Sequence, residues 1–309
     1  MNDTSTVQAA KGGLVTTARR AIAIGNFDGV HRGHRAIIDA ARGMAGEDGT
    51  VIAVTFWPHP IAVLHADKAP ALLTGITDRI RLLHDAGADD VSIVEFTSEV
   101  SAWDALTFIE RVITPLSPDA IVVGENFRFA RGAGADGRDL AELSGVPVQV
   151  LSMLMDDGPV SSSRVRDAVT DGDIALATRL LGRPFRYSGL VILGDQRGRT
   201  LGFPTANMSV PSTFACPADG VYAGWLNQGD DQRWPAAISV GTNPTFSGVQ
   251  RRVESYAINE TDLKLYGVRV GVDFVARLRG QLTFASKEDL IAQMTRDVER
   301  ALAILDERA

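Results

Sequence analysis

The stretch "AIAIGNFDGVHRGHRAII", residues 21–38, decides the fold of the first half of the chain. An apolar run ends at Gly25, and an acid, two further glycines and two histidines, His31 and His34, follow within nine residues. This pattern is typical of a buried strand that turns tightly into a helix. Glycines in such a turn let the backbone approach a ligand, and the unpaired N–H groups that begin a helix attract phosphate. The stretch therefore predicts a phosphate-binding turn between a strand and a helix.

The two histidines fit two kinds of chemistry. Because His31 and His34 are three residues apart, they lie on one face of the first helical turn. Imidazoles placed there donate hydrogen bonds to phosphate oxygens and stabilise the charge of a nucleotidyl-transfer transition state. The spacing also suits a metal, but the chain has only five histidines and one cysteine to complete a ligand set. Nucleotide binding is therefore favoured over a metal site, and an ordinary Asp28-Gly29 turn is the alternative without a function.

Strand and helix patterns alternate throughout the first half. Strands are predicted at 20–25, 50–56, 90–96, 118–124 and 146–153, and helices at 33–45, 77–87, 101–113, 161–172 and 173–182. This alternation predicts a Rossmann-like α/β domain with a parallel sheet covered on both faces. Ligands of such sheets bind beyond the carboxyl ends of the strands.

The pattern changes after residue 182. Short strands punctuated by Gly and Pro predict an antiparallel β-barrel or sandwich. Ser286 and Asp289 form a capping-box-like start for a terminal helix. We therefore expect two domains, at residues 1–182 and 183–309.

Composition excludes several classes of protein. A formal net charge of −7 disfavours nucleic acid and anionic membranes as partners. A single cysteine, Cys216, rules out a disulfide within the chain and suits a reducing cytoplasm. No apolar run approaches the roughly 20 residues of a membrane span, and residues 1–20 lack the apolar core of a signal peptide. A cytoplasmic protein with small-molecule partners is expected, and the sequence leaves its oligomeric state open.

The histidine-containing motif resembles a family signature. "GNFDGVHRGH" (25–34) is similar to the GxFDGxHxGH motif of the bacterial bifunctional riboflavin kinase/FMN adenylyltransferase (FAD synthetase) family. Other segments follow in family order: "TFWPHP" (55–60), "VVGENFRF" (122–129), "VSSSRVRDAVTDGDIALATRLLGRPF" (160–185), "GRTLGFPTAN" (198–207), "GVYAG" (220–224), "SVGTNPTF" (239–246), "RRVESYAI" (251–258) and "DLKLYG" (262–267). The resemblance extends from about residue 20 to the terminal helix.

The resemblance implies two successive reactions. Riboflavin and ATP would give FMN and ADP, and FMN and a second ATP would then give FAD and pyrophosphate, both with Mg²⁺. In the first domain it implies that His31 and His34 steady the α-phosphate and the leaving group. The other implied positions are Gly25, Asn26 and Phe27 in the nucleotide cleft, Asn126 and Arg128 near the flavin phosphate and ATP, and Ser162, Ser163 and Arg166 on the triphosphate.

The second domain contains a second set of candidates. On a strand, Thr205 and Asn207 face the same way and form a pair of hard-oxygen ligands, and the carboxylate of Glu254 can accept a proton from a hydroxyl. By themselves these residues fit an ordinary polar strand face and a surface glutamate equally well. The resemblance implies that Thr205 and Asn207 bind Mg-ATP and that Glu254 is the base for the ribityl 5′-hydroxyl. It also implies that Gly202 and Pro204 shape the phosphate loop.

The chain departs from the family pattern in the loop at residues 129–138. The family has a glycine and then a lysine there, whereas this chain has Ala130 and Arg131. This difference motivates one alternative, a riboflavin kinase with a degenerate first domain. A non-catalytic flavin-sensing protein is a second alternative.

Overall fold

The structure is a computed structural model that describes residues 19–194, 198, 201–229, 231–245 and 248–307. Of residues 243–250 it describes only the backbone of 243–245 and 248–250. Most of the segment in which no signal peptide was predicted, and part of the motif at 198–207, lie outside these ranges.

The first half folds as an α/β domain around a parallel sheet. Its strands are β1 (Arg20–Ile24), β2 (Thr50–Trp57), β3 (Asp90–Glu95), β4 (Ala120–Gly124) and β5 (Val148–Leu151). Its helices are α1 (Arg32–Ala45), α2 (Pro60–Leu64), α3 (Ile76–Asp85), α4 (Ser98–Ser101), α5 (Ala105–Phe108), α6 (Gly137–Ser144), α7 (Ser162–Asp171) and α8 (Ile174–Leu181). The strand order is β3-β2-β1-β4-β5, and every pairing is parallel. The predicted Rossmann-like fold class is confirmed.

The sheet is apolar on both faces, as the continuous hydrophobic strands predict. Alternate residues of β1 separate cleanly, with Ala21 and Ala23 in the core beneath α1, and Ile22 and Ile24 in the core on the other face. Because β1 and β2 are parallel, their carboxyl ends lie at the same edge of the sheet, where the turn into α1 begins.

The helices of this domain differ in places from those predicted. The helix expected at 101–113 is broken, because the Asp104 side chain accepts from the Thr107 N–H at 2.8 Å and begins α5 there. The chain continues from α5 as a π-helical turn at Ile109–Ile113. Helix α6 was not predicted from the glycine-rich segment, and a capping box formed by Asp136 and Asp139 begins it.

The second half is a six-stranded antiparallel sheet that closes almost completely into a barrel. Its strands are β6 (Phe185–Leu190), β7 (Ala206–Val210), β8 (Gly220–Gln228), β9 (Gln232–Thr245), β10 (Gly248–Ala257) and β11 (Arg269–Arg279), in the order β6-β11-β8-β9-β10-β7. A bridge between Ile192 and Asn207 joins the two ends of the sheet. This is the predicted antiparallel barrel.

The terminal helix α9 (Lys287–Asp306) packs against the outside of the barrel. Asp297 on α9 is 6% exposed and accepts three hydrogen bonds of 2.7–3.1 Å from Arg279 on β11. Gln293 donates to the same carboxylate at 2.8 Å. This ion pair holds α9 beside one outer face of the sheet. None of the helices within the described ranges has the length and apolar character that crossing a membrane requires.

Candidate active sites

The paired histidines lie at the start of α1, at the carboxyl edge of the parallel sheet. His31 is the N-cap of α1, and its Nδ1 accepts the backbone N–H of His34 at 3.3 Å. The two rings stack with centroids 3.6 Å apart, and the Phe27 ring meets His34 edge-on at 5.2 Å. The predicted pairing of the imidazoles on one helical face is therefore present in the folded chain.

Burial keeps both imidazoles neutral. Desolvation lowers the pKa of His31 to about 4, although the nearby Asp28 carboxylate opposes the shift. Desolvation also lowers the pKa of His34 well below its usual value, and His31 and Arg79 add to the effect. Because Nδ1 of His31 accepts a hydrogen bond, the neutral ring carries its proton on Nε2. These histidines are thus suited to donate N–H groups to phosphate oxygens without carrying a full charge.

The turn between β1 and α1 is strained and buried. Phe27 and Val30 have φ values of 52° and 39°, in the left-handed region that non-glycine residues rarely adopt, and both are 0% exposed. Gly29 has a φ of 83°, and a Cβ there would lie 2.8 Å from the Leu73 side chain. Such strain persists only when the surroundings impose it, and it clusters at functional sites. The turn is consistent with a ligand-binding loop.

Asp28 is the residue of this turn that sequence reasoning missed. Its carboxylate is 1% exposed and accepts from the N–H groups of Leu73 and Thr74 at 3.0 Å, and from the Thr74 hydroxyl at 3.2 Å. It also pairs with Arg79 at 3.4 Å and with Arg166 at 3.1 Å. The sequence showed only an ordinary Asp-Gly dipeptide, whereas the structure makes this aspartate the point where three segments meet.

The "SSSR" segment joins this cluster. Ser161 is the N-cap of α7, and the Ser162 hydroxyl donates to the Asp28 carbonyl at 2.8 Å. Arg166, one turn later, donates from Nε to the Ala71 carbonyl at 2.5 Å. The structure therefore brings Ser162 and Arg166 to the histidine turn. Ser163 is exposed in the first turn of α7.

Several buried polar atoms around the histidine turn lack a protein partner. They include Oδ1 of Asn26, Nδ1 of His34 and Nε of Arg79. Buried polar groups are normally hydrogen-bonded, so atoms left over in a cleft indicate a ligand or ordered water. Oδ1 of Asn26 and Nδ1 of His34 therefore remain free to bond a ligand or a water, and their role toward a nucleotide stays a prediction.

An aromatic cavity lies on the same domain. It encloses about 420 Å³ and is lined by the rings of Phe56, Phe96, Trp103, Phe108 and Phe129, together with Pro60, Leu64 and Arg128. Arg128 donates from Nη1 to the carbonyls of Glu125 and Phe127, at 3.1 and 2.7 Å. The structure places Arg128 on the wall of this cavity, whereas Asn126 is exposed and is not part of the lining. A flat aromatic ligand would fit these walls.

The second set of candidates comes together on the outer face of the barrel. Asn207 on β7 lies directly opposite Glu254 on β10, which in turn lies opposite Ser239 on β9. Directly opposed residues of antiparallel strands share a face. Val253 and Ser255, the neighbours of Glu254, are 0% exposed on the inner face. The predicted alternation around Glu254 is confirmed.

The Asn207 carboxamide is held in a narrow space. Its Nδ2 donates to the carbonyl and the hydroxyl of Thr205, at 3.1 Å each. A Cβ added at Gly194 would lie 2.5–2.7 Å from the carboxamide atoms of Asn207. Asn207 is 6% exposed. Thr205 and Asn207 thus form one unit, as their spacing predicted.

Two cavities flank this unit. The smaller, about 70 Å³, is lined in part by Gly194, Pro204, Thr205 and Asn207. The larger, about 240 Å³, lies beneath α9 and is lined by Thr205, Glu254, Phe203, Tyr256 and apolar residues of α9 such as Leu290 and Met294. Thr205 lines both cavities, Asn207 only the smaller and Glu254 only the larger. Gly202, with a φ of 88°, lies on the preceding turn and lines neither.

Comparison with known proteins gives matches to both halves. A family model described as FAD synthetase matches residues 15–164, and one described as riboflavin kinase matches residues 181–305. A bifunctional riboflavin kinase/FMN adenylyltransferase from Escherichia coli (strain K12) is 35% identical over 300 residues, covering 94% of this chain and 92% of that protein. A protein of the same name from Bacillus subtilis (strain 168) is 33% identical, covering 92% of each chain.

A solved structure shares the whole fold. The crystal structure of a macrolide-efflux protein from Streptococcus pneumoniae superposes with a TM-score of 0.82 at 30% sequence identity. The alignment covers 92% of this chain and 94% of that one. The two-domain architecture is therefore found in a similar chain whose structure was solved experimentally.

Proposed function

Because this chain belongs to the bifunctional riboflavin kinase/FMN adenylyltransferase family, it makes FMN and FAD with ATP, and we propose which residues carry each step. Residues 1–182 would carry adenylyl transfer and residues 183–309 riboflavin phosphorylation. Both halves match an enzyme model, so neither a kinase with a degenerate first domain nor a flavin-sensing protein gains support.

In adenylyl transfer, the FMN phosphate attacks the α-phosphorus of ATP and pyrophosphate leaves. The neutral rings of His31 and His34 donate N–H groups to the oxygens on which charge develops. The start of α1 adds its unpaired backbone N–H groups. Gly25, Asn26 and Phe27 line the nucleotide, and Ser162, Ser163 and Arg166 hold the triphosphate.

The aromatic cavity is the proposed FMN site of this step. A flavin ring system is flat and largely apolar, and stacked or edge-on aromatic contacts stabilise such rings. Arg128 stands on the cavity wall, where its guanidinium can pair with the flavin phosphate. Asn126 is proposed to act beside it when the substrates are bound.

Riboflavin phosphorylation is assigned to the two cavities that meet at Thr205. The smaller cavity takes the nucleotide phosphates, because Pro204, Thr205 and Asn207 line it. The larger cavity takes riboflavin, because it combines apolar walls with the carboxylate of Glu254. Glu254 accepts the proton of the 5′-hydroxyl as that oxygen attacks the γ-phosphorus. Gly202 shapes the turn that leads into Pro204.

The residues of the kinase site fit Mg²⁺. Mg²⁺ prefers oxygen ligands and takes only one or two from the protein, the rest being phosphate and water. Thr205 Oγ1 and Asn207 Oδ1 are such oxygens, and Asn207 turns its amide nitrogen toward Thr205, which leaves Oδ1 as an acceptor. When bound, the ion would neutralise charge on the transferred phosphate.

A cytoplasmic location and the lack of nucleic-acid or membrane partners stay predictions.

The strand register that sets Asn207 opposite Glu254 is the observation that carries this assignment. A time course with riboflavin, ATP and Mg²⁺ tests the two activities, with chromatography of the three flavins, and the variant of Glu254 described in the Discussion tests the residue. FMN should appear first and FAD should follow, and EDTA should stop the phosphorylation step. If FMN accumulates and FAD never forms at saturating ATP, the transferase assignment fails.

A further inference from the structure

A buried cation with no assigned role lies beneath the histidine turn. Arg79 on α3 is 0% exposed and is the largest fully buried side chain among the described residues. Burying a guanidinium is unfavourable unless its charge is compensated, so its partners indicate what it is there for.

The guanidinium of Arg79 binds groups at the carboxyl edge of the sheet. Nη1 donates to the Asn26 carbonyl at 2.9 Å and to the Phe56 carbonyl at 3.3 Å. Nη2 donates to the Thr74 carbonyl and to Asp28 Oδ1, both at 3.4 Å. Arg79 is therefore surrounded by carbonyl oxygens and one carboxylate. The carboxylate charge and the carbonyl dipoles would otherwise lie unopposed beside the proposed site for anionic phosphates.

The charges of the cluster do not balance. The single carboxylate of Asp28 lies between two guanidiniums, with Oδ1 toward Arg79 and Oδ2 within 3.1 Å of Arg166. Arg79 is fully buried, whereas Arg166 keeps 15% of its side chain exposed. Two positive charges against one negative charge leave a net positive charge, and Arg166 is the member that a ligand can reach.

We propose that Arg79 is a positioning residue of adenylyl transfer that neutralises Asp28, so that the charge of Arg166 stays available to the ATP triphosphate. Without Arg79, the carboxylate would cancel Arg166 and repel the phosphates. Asp28 also accepts hydrogen bonds at Oδ1 from the backbone N–H groups of Leu73 and Thr74, which the oxygen of an asparagine can still accept. The proposal rests on the transferase function assigned above.

The test is a double-variant cycle on the KM for ATP, measured as FAD synthesis from supplied FMN. Arg166→Gln serves as the reference and should raise this KM about tenfold to a hundredfold, the range for a lost hydrogen bond to a charged group. Arg79→Met should raise it similarly with a smaller change in the KM for FMN. Adding Asp28→Asn to Arg79→Met should bring the KM for ATP back toward the wild-type value, because the net charge is restored.

A purely structural role for Arg79 gives the opposite result. The double variant would then bind ATP as weakly as Arg79→Met or more weakly, and the proposal would be overturned. It is also overturned if Arg79→Met leaves the KM for ATP unchanged. Asp173→Asn, an exposed helix cap on α8, is the matched control for an Asp-to-Asn change.

Folding and function are separated within the same samples. Thermal unfolding followed by far-UV circular dichroism, compared with that of the wild type, reports whether the first domain of each variant is folded. If Arg79→Met does not fold, Arg79→Lys and Asp28→Asn replace it. Arg79→Lys keeps the charge and should raise the KM for ATP less than Arg166→Gln does. Asp28→Asn alone should lower the KM for ATP. The reverse of either result overturns the proposal. If the wild type makes no FAD at all, the proposed function fails instead, and that outcome is seen before any variant is compared.

Discussion

Two sites of the molecule hold their polar groups in different ways. They are the transferase cleft around Asp28, His31 and Arg79, and the kinase face formed by Thr205, Asn207 and Glu254. In the cleft, Asp28, His31 and Arg79 are at most 5% exposed, and hydrogen bonds to distant segments hold Asp28 and Arg79. On the kinase face, Thr205 and Glu254 are half-buried, and strand register alone sets Glu254 opposite Asn207. The first site depends on desolvation and therefore on protonation states. The second depends on backbone pairing and on the helix that covers it.

Removing the carboxylate of the kinase face tests the simpler of the two sites. Glu254→Gln should lower the kcat of riboflavin phosphorylation by about 10²–10⁴, the usual contribution of a general base. FAD synthesis from supplied FMN should stay within twofold of wild type, which a chromatographic assay measures. Glu299→Gln, an exposed change on α9, is the matched control. An equal loss of both activities would mean that the two sites are not separable.

Removing one imidazole tests the cleft in the same way. His34→Ala should lower FAD formation by about 10²–10³, as expected when a donor to a transition-state oxygen is lost. FMN formation from riboflavin should persist, because no residue of the kinase face contacts His34 in the described structure. His84→Ala on α3 controls for the loss of an exposed histidine. Normal FAD formation by His34→Ala would remove this ring from the mechanism.

The buried imidazoles also predict how stability depends on pH. The folded-state pKa of His31, about 4, lies below its ordinary value of 6.5, so the unfolded chain binds the proton first as the pH falls. The free energy of unfolding is therefore unaffected by this group above pH 6.5 and falls between pH 6.5 and 4, by up to roughly 3 kcal/mol.

The variant His31→Asn tests this dependence, because asparagine keeps an N-cap acceptor and does not titrate. Denaturant unfolding of the nucleotide-free protein, repeated from pH 7 to pH 4.5, should show a shallower loss of stability in the variant. Parallel curves for the two proteins would show that His31 is not the titrating group. No such dependence of stability on pH is predicted from the residues of the kinase face.

The smallest expected effect concerns the packing around Asn207. Gly194→Ala would push a methyl group against the carboxamide and displace it from Thr205. The KM for ATP in riboflavin phosphorylation should rise about tenfold, the scale seen when the support of a metal ligand is lost. Gly43→Ala, where an added Cβ meets nothing within 4 Å, is the control. Unchanged phosphorylation kinetics in Gly194→Ala would show that Asn207 tolerates displacement.

Most of the fold was predictable because it follows from short-range patterns. The continuous apolar strands and the periodic helices specified a parallel sheet, and the change of pattern after residue 182 specified the antiparallel half. The helix at 101–113 was wrong because hydrophobic periodicity continues through the break that the Asp104 cap imposes. Helix α6 was missed because its glycine-rich beginning hides a capping box.

The candidate sites were predictable where the motif itself supplies the geometry. His31 caps the helix that contains His34, and Thr205 directly precedes the strand that contains Asn207, so local spacing determines how each pair is placed. Asn126 is the weakest of the predicted positions, since it lies outside the cavity whose wall includes Arg128. A loop offers no periodicity from which such a direction can be read.

The sequence by itself determined the order of elements, the paired imidazoles and the pairing of Thr205 with Asn207 at the start of β7, because each depends on neighbours within a few residues. Only the tertiary structure decided that Asp28 would bind Arg79 and Arg166, which are 51 and 138 residues away along the chain. Only it set Glu254 opposite Asn207. Burial, charge compensation and strand register depend on residues that are distant in sequence, and no local pattern encodes which of them will meet.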